Sequence, residues 1–188
     1  LQISPELSIR FVGFNTSIAP FDNPKVRRAF LLAIDHDELI NTMNLFTSQP
    51  FGNTIAKAKG LLPPGLPGHN LSLPPLVFNL EASLSLLEEA NYDTESAPPL
   101  IFNTVGASPL PAAIAKMWQD HLGVSIDIVS LPSYSMLKTS SGHLYDFGWV
   151  ADYPNPQNFL EILFRSHQEF NYSVYENSTF DALVNNAS

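Results

Sequence analysis

The sequence predicts an α/β fold, a mixed and largely parallel sheet flanked by helices, and three observations predict it. Segments with apolar residues at every second position alternate with segments whose apolar residues recur at three- and four-residue spacing. The order strand, helix, strand favours parallel neighbours joined by right-handed crossovers. Finally, 188 residues, 45% of them hydrophobic, are enough to enclose a core, so one domain is expected over 1–188.

The first strand spans Leu7 to Asn15, where Leu7, Ile9 and Phe11 alternate with Ser8 and Arg10. A turn follows at Ala19-Pro20-Phe21-Asp22. Asn23 can cap a helix with Pro24 at its first position, where the missing N–H is no loss. Val26, Ala29, Phe30, Ala33 and Ile34 give this helix one apolar face, and it is expected to run to about Asn44. From Thr47 to Pro75 the periodicity stops. Pro63, Pro64, Gly65, Pro67 and Gly68 punctuate a stretch too apolar for a flexible linker, so a long ordered loop packed over a core is expected.

A second helix over Leu80 to Ala90 places Leu80, Leu84, Leu87 and Ala90 on one side, and Asn91 suits the left-handed turn that ends it. Pro99 to Val105 reads as a strand. Ser108 and Pro109 open a third helix, with Leu110, Ile114, Met117 and Leu122 facing in and Gly123 closing it. Trp118 on this helix is expected to pack in the core or at an interface. Val124, Ile126 and Ile128 alternate with Ser125 and Asp127 in the next strand. A short helix at Ser133 to Ser140 and a strand at Leu144 to Ala151 follow. Asn155 and Pro156 begin a helix carrying Phe159, Leu160, Leu163 and Phe164, and Phe180 to Ala187 form a last one.

Composition removes several function classes. Charged residues are 14%, against roughly 25% in an average domain, and 11% are aromatic, which argues against disorder. Nine Lys and Arg against 18 Asp and Glu leave a net charge of −9, the wrong sign for a nucleic-acid partner. No apolar run approaches the roughly 18 residues of a membrane span. Leu1-Gln2-Ile3-Ser4-Pro5 has neither the basic start nor the apolar block of a signal peptide. Without cysteine there is no disulfide scaffold, thiolate zinc site or cysteine nucleophile.

Among His36, His69, His121, His143 and His167 no pair has the i,i+4 spacing of a helical zinc site, so no metal is expected. Asp35-His36-Asp37-Glu38 reads as a solvated helix face, since its carboxylates lie on different sides and an EF-hand glycine is missing. Neither a Gly-x-Ser-x-Gly elbow nor a phosphate-binding glycine loop is present, and no nucleophile or partner base stands near Asp152, so catalysis is not expected.

Gly148-Trp149-Val150-Ala151-Asp152-Tyr153-Pro154-Asn155-Pro156 carries the chemistry. It leaves a strand end and enters a helix, where ligands of open α/β sheets bind. Asp152 stands between Trp149 and Tyr153, with Pro154 and Pro156 stiffening the chain and Gly148 permitting a close approach. A carboxylate among rings suits a cationic amine, through charge-assisted hydrogen bonds and cation–π attraction. The competing reading is a plain strand-to-helix turn, in which Asp152 caps the helix and Trp149 packs in the core.

Four stretches resemble the bacterial extracellular solute-binding proteins of family 5, the oligopeptide and dipeptide receptors of ABC importers. Phe14-Asn15-Thr16 with Pro20-Phe21-Asp22-Asn23-Pro24-Lys25-Val26-Arg27-Arg28-Ala29-Phe30 and Ala33-Ile34-Asp35 is similar to the hinge strand and first helix of the family's second lobe. Leu62-Pro63-Pro64-Gly65-Leu66-Pro67-Gly68 resembles its Pro/Gly loop, and Glu81 to Tyr92 its Leu-Leu-x-x-Ala-Gly-Tyr helix end. Trp149-Val150-Ala151-Asp152-Tyr153-Pro154 matches its ligand-site turn. The stretches occur in family order across almost the whole chain. His36, Asn91 and Asn155 depart from it, standing where the family often has Arg, Gly and Asp.

The resemblance implies one lobe of a two-lobe, type II-like periplasmic-binding-protein fold, whose lobes close around a ligand. It implies that residues 1–188 are a single α/β ligand-binding lobe, with a first lobe preceding Leu1 and a return segment following Ser188. Carried over to this chain, Asp152 would pair with a ligand amino group, while Trp149, Tyr153 and the chain at Gly148 and Val150 line the interlobe cleft. The expected partners are a peptide or other small solute, the first lobe of the same receptor and an ABC permease, outside the cytoplasm and without a cofactor. The alternative is a ligand-sensing module of a larger regulatory or signalling protein.

Overall fold

Alternate residues of the first strand serve two different cores, and this division organises the fold. The computed structural model describes residues 6–47 and 55–187. β1 (Ser8–Phe14) turns Ile9 and Phe11 to one face of the sheet and Val12 and Phe14 to the other. The remaining strands are β2 (Leu100–Val105), β3 (Ile126–Leu131) and β4 (Leu144–Val150), in the spatial order β1-β4-β2-β3. β2 runs parallel to both β3 and β4, whereas β1 runs antiparallel to β4. The sheet is therefore mixed and mostly parallel, as expected.

On one face lie α1 (Pro24–Leu32), α2 (His36–Thr47), α3 (Leu80–Glu89) and α4 (Leu110–Leu122). Their apolar residues Phe30, Met43, Leu87, Ile114 and Trp118 pack on Leu100, Phe102 and Leu144 of the sheet. On the other face, Tyr145 and Phe147 meet Phe159 and Leu163 of α5 (Gln157–Phe164), together with Leu66, Leu137 and Tyr172. α6 (Ser178–Ala187) ends the described chain.

The Asn23 side chain accepts from Lys25 N–H and Pro24 opens α1, as the sequence requires. The expected single helix to Asn44 is instead two. Asp35 Oδ1 accepts from Asp37 N–H (2.9 Å) and Glu38 N–H (3.1 Å), which caps α2 and starts a new helix axis. Asp37 and Glu38 then occupy its first turn, where the helix dipole favours negative charge, so the acidic cluster is a cap and first turn.

The carbonyls at the end of α1 find partners in neighbouring elements. Ser83 Oγ donates to Ala29 O (2.7 Å), Trp118 Nε1 to Phe30 O (2.8 Å) and Asn79 N to Leu32 O (2.9 Å). His121 Nδ1 lies 2.7 Å from Ala33 O. Trp118 is thus a fully buried core residue.

α3 differs from expectation in one position: Leu84 is exposed, and Ser83 with Leu87 forms the buried side. The Ser83 bond to Ala29 O sets this rotation of the helix. Asn91 does adopt a left-handed backbone after α3 (φ 53°), and Gly123 does so after α4 (φ 72°). β3 is a sheet edge with Ile128 and Val129 exposed, and the short helix after it is a 3-10 turn at Tyr134–Lys138. The described part of the Pro/Gly stretch is irregular and, against expectation, mostly exposed: only Ile55 on the first core and Leu62, Pro63, Leu66 and His69 turn inward, so the loop is pinned at a few points. Residues 48–54 of that stretch lie outside the described residues.

Candidate ligand-binding site

β4 carries its site residues because its two edges are treated differently. β1 pairs along its whole length, to Ser8 opposite Val150, and Ala151 N–H extends the ladder to Leu7 O (2.8 Å). β2 pairs with β4 only through Phe102–Leu144 and Asn103–Tyr145. Beyond that point the β2-side edge of β4 has no strand partner among the described residues. Since Ala151 turns its N–H toward β1, antiparallel alternation aims the N–H and C=O of Gly148 and Val150 at the open edge. Both residues are exposed. A Cβ built on Gly148 would meet nothing nearer than Ile9 O at 3.8 Å, so the space above it is open.

Asp146 lies on the face of β4 shared with Gly148 and Val150, and it is 1% exposed. Arg10, opposite Gly148 in the ladder, donates from Nε to Oδ1 (3.0 Å) and from Nη2 to Oδ2 (2.6 Å). This bidentate bond raises the Arg10 pKa above its ordinary value, against the opposing effect of burial. The pair locks β1 to β4 just before the site strand emerges.

Past Val150 the chain turns. Asp152 is exposed. Its N–H donates to Asn158 Oδ1 (3.2 Å), and Asn158 Nδ2 makes a long 3.5 Å contact to Asp152 Oδ2. Trp149 is half-buried on the second-core face, with its ring centroid 5.0 Å from that of Phe170, and its Nε1 donates to the same Asn158 Oδ1 (2.7 Å). Tyr153 is exposed and donates to Gln157 Oε1 (3.2 Å). Asn155 Oδ1 accepts from Gln157 N–H (2.9 Å), the first N–H of α5, whose N-cap position is Pro156.

The five residues singled out in the sequence, Gly148, Trp149, Val150, Asp152 and Tyr153, thus gather at the exit of β4. The competing reading holds for one residue of its two. Trp149 does pack against the second core, but the side chain that meets the first N–H of α5 is Asn155, and Asp152 is exposed. Chemically, the turn offers one exposed carboxylate, an exposed phenol and a strip of free main-chain donors and acceptors.

Sequence reasoning missed Asn158 and the Arg10–Asp146 pair. A carboxylate inside the apolar run Leu144-Tyr145-Asp146-Phe147, with a cation on an alternating strand, was an available signal for the pair. Asn158 beside Phe159 carried almost none. A separate cavity of about 270 Å³, lined by residues including Lys138, His167, Asn171 and Glu176, shares no lining residue with this turn. The described residues contain no group of His, Cys, Asp or Glu able to hold a metal ion, and no helix long and apolar enough to cross a membrane.

Comparison with known proteins gives one consistent result. Heme-binding protein A of Haemophilus influenzae is 30% identical over 96% of this chain and 34% of its own length. The periplasmic oligopeptide-binding protein OppA of Escherichia coli is 27% identical over 98% of this chain and 34% of its own length. The chain therefore spans about a third of the curated relatives it matches. Among solved structures, DppA from Helicobacter pylori in complex with peptide STSA superposes with a TM-score of 0.81 at 24% identity, covering 96% of this chain and 35% of that one. It shares the fold. The profile of the bacterial extracellular solute-binding proteins, family 5 Middle, matches residues 1–171, and the chain belongs to that family.

Proposed function

We propose that this chain is the second ligand-binding lobe of an extracytoplasmic receptor for an ABC importer, and that Asp152 grips the amino group of a peptide at the interlobe cleft. The observation that carries this reading is the exposed Asp152 carboxylate at the end of a strand whose β2-side edge, beyond Tyr145, has no strand partner among the described residues. An extended peptide has both matching groups. Its main chain pairs with Gly148 and Val150 by strand addition, and its terminal ammonium meets Asp152. Relatives' names span oligopeptides, dipeptides, heme and deoxycholate. A carboxylate beside an unpaired strand edge favours the peptides among these.

The role is binding without turnover. The first lobe supplies the other wall of the cleft, and the permease receives the loaded receptor. One lobe encloses only half of a ligand, so the isolated chain binds weakly.

The test is a calorimetric titration of the receptor joining this lobe to its first lobe, with tetra-alanine and N-acetyl-tetra-alanine. Asp152→Asn should weaken the free-amine peptide about tenfold to a hundredfold, the worth of a charge-assisted hydrogen bond, and leave the acetylated peptide nearly unchanged. Equal losses for the two peptides reject the carboxylate–amine contact. Tight binding by the isolated chain rejects the two-lobe requirement.

A further inference from the structure

Asn158 is 0% exposed, yet its whole side-chain amide is committed to the ligand turn. Its Oδ1 receives two donors from different parts of that turn, Trp149 Nε1–H at 2.7 Å and Asp152 N–H at 3.2 Å. Neither donor can be an acceptor, so the network dictates which end of the amide faces them. Nδ2 is thereby directed at Asp152 Oδ2, 3.5 Å away. One oxygen of the carboxylate faces a buried amide, while Oδ1 has no protein hydrogen-bond partner among the described residues. The amide also stands on a rigid base, because Asn158 N–H donates to Asn155 O (3.0 Å) at the start of α5.

We infer that Asn158 is a positioning residue: it clamps the Trp149 indole and the Asp152 main chain together and presents Asp152 Oδ1 outward as the acceptor for a ligand amine. The second half of this statement rests on the function proposed above; the clamp does not. Both donors are part-buried and end on the buried Asn158 Oδ1, and no other described group takes the Trp149 indole or the Asp152 N–H. Removing the acceptor releases the ring and the turn together. Exchanging the two side chains, Asn158→Asp together with Asp152→Asn, keeps an oxygen for both donors and one amide facing one carboxylate, and so keeps the clamp.

The experiment is hydrogen exchange on this chain, read by NMR at the Trp149 indole and the Asp152 amide. The Trp118 indole, bound to Phe30 O in the other core, serves as the internal standard. In Asn158→Leu both reporter protons should exchange at least about tenfold faster while Trp118 is unchanged, as expected for loss of a buried acceptor. The double variant Asn158→Asp/Asp152→Asn should restore protection at both. Unchanged exchange in Asn158→Leu overturns the clamp. If Trp118 also loses protection there, the variant has opened globally and Asn158→Asp/Asp152→Asn decides: protection kept at both reporters supports the clamp, and protection lost overturns it.

A second arm titrates trialanine and N-acetyl-trialanine to millimolar concentration and follows the Asp152 amide shift. The native chain should respond to the free amine alone, and Asn158→Leu should lose that preference. A native chain that responds equally to both peptides, or to neither, sinks the amine role of Asp152 while the exchange arm still decides the clamp. An Asn158→Leu chain with exchange released but preference intact overturns the presentation of Oδ1 alone.

Discussion

Replacing Arg10 with methionine keeps most of the side-chain stem but strands a carboxylate that is 1% exposed. Asp146 then loses two charge-assisted hydrogen bonds, of 3.0 and 2.6 Å. Removing one partner of a fully buried pair costs about 3–5 kcal/mol, because the other charge is left without compensation. Arg10 is 49% exposed, so water can follow the lost guanidinium, and the lower end, about 3 kcal/mol, is expected. With a urea slope of about 2 kcal/mol per molar, the midpoint should fall by about 1.5 M.

The opposite change is milder. Asp146→Asn leaves a cation that already reaches solvent, and about 1 kcal/mol is expected. The double variant should be more stable than Arg10→Met alone, since the orphaned charge is gone. Urea unfolding followed by tryptophan fluorescence measures all three. A loss below about 0.5 kcal/mol in Arg10→Met, or strict additivity in the double variant, would refute the uncompensated-charge reasoning.

Two further outcomes follow from the core and from the strand junction. Trp118→Phe removes the donor to Phe30 O and part of a fully buried ring; about 2–4 kcal/mol should be lost, visible in calorimetry as a fall of roughly 5–15 °C in Tm. A fall under about 2 °C would mean that the carbonyl is satisfied otherwise. At the start of β4, Ile101 N–H donates to His143 Nδ1 (2.9 Å), and burial lowers the His143 pKa from its ordinary 6.5. The unfolded chain therefore binds this proton more readily. The stabilisation is complete above about pH 6.5 and is lost as pH falls from there through the folded-state pKa. Burial lowers His36 with the same sign, so His143→Gln should flatten only part of the decline in urea midpoint between pH 7 and 5. An unchanged slope in that variant would contradict the assignment.

The break between α1 and α2 shows where local reading fails. Ala33 and Ile34 continue the apolar face of α1 in phase, so periodicity runs through the boundary. The stop signal was nevertheless present, because Asp35 followed three residues later by Glu38 is a capping pattern. Leu84 failed for a different reason. Its face is in phase with Leu80 and Leu87, and only the contact of Ser83 with α1 decides which way the helix turns. The site divides along the same line. Asp152 between two rings, at a strand-to-helix exit, was legible because the features sit within a few residues. Asn158 was not, because a lone asparagine beside Phe159 looks like any first-turn residue until the indole of Trp149 is seen to end on it.

The order of the elements apart from the break between α1 and α2, the alternation of β1, the cap at Asn23 and the place of the Trp149–Tyr153 turn between β4 and α5 were legible in the sequence alone. Each depends on residues within one or two turns of chain, where periodicity and backbone chemistry act directly. Tertiary structure alone decided which groups satisfy the end of α1, with Trp118 reaching Phe30 across 88 residues, and that Arg10 meets Asp146 across 136. It also decided that β2 parts from β4 after Tyr145 and leaves the edge at Gly148 and Val150 free. These outcomes turn on how packed layers meet in space, and distant segments carry no local pattern that records it.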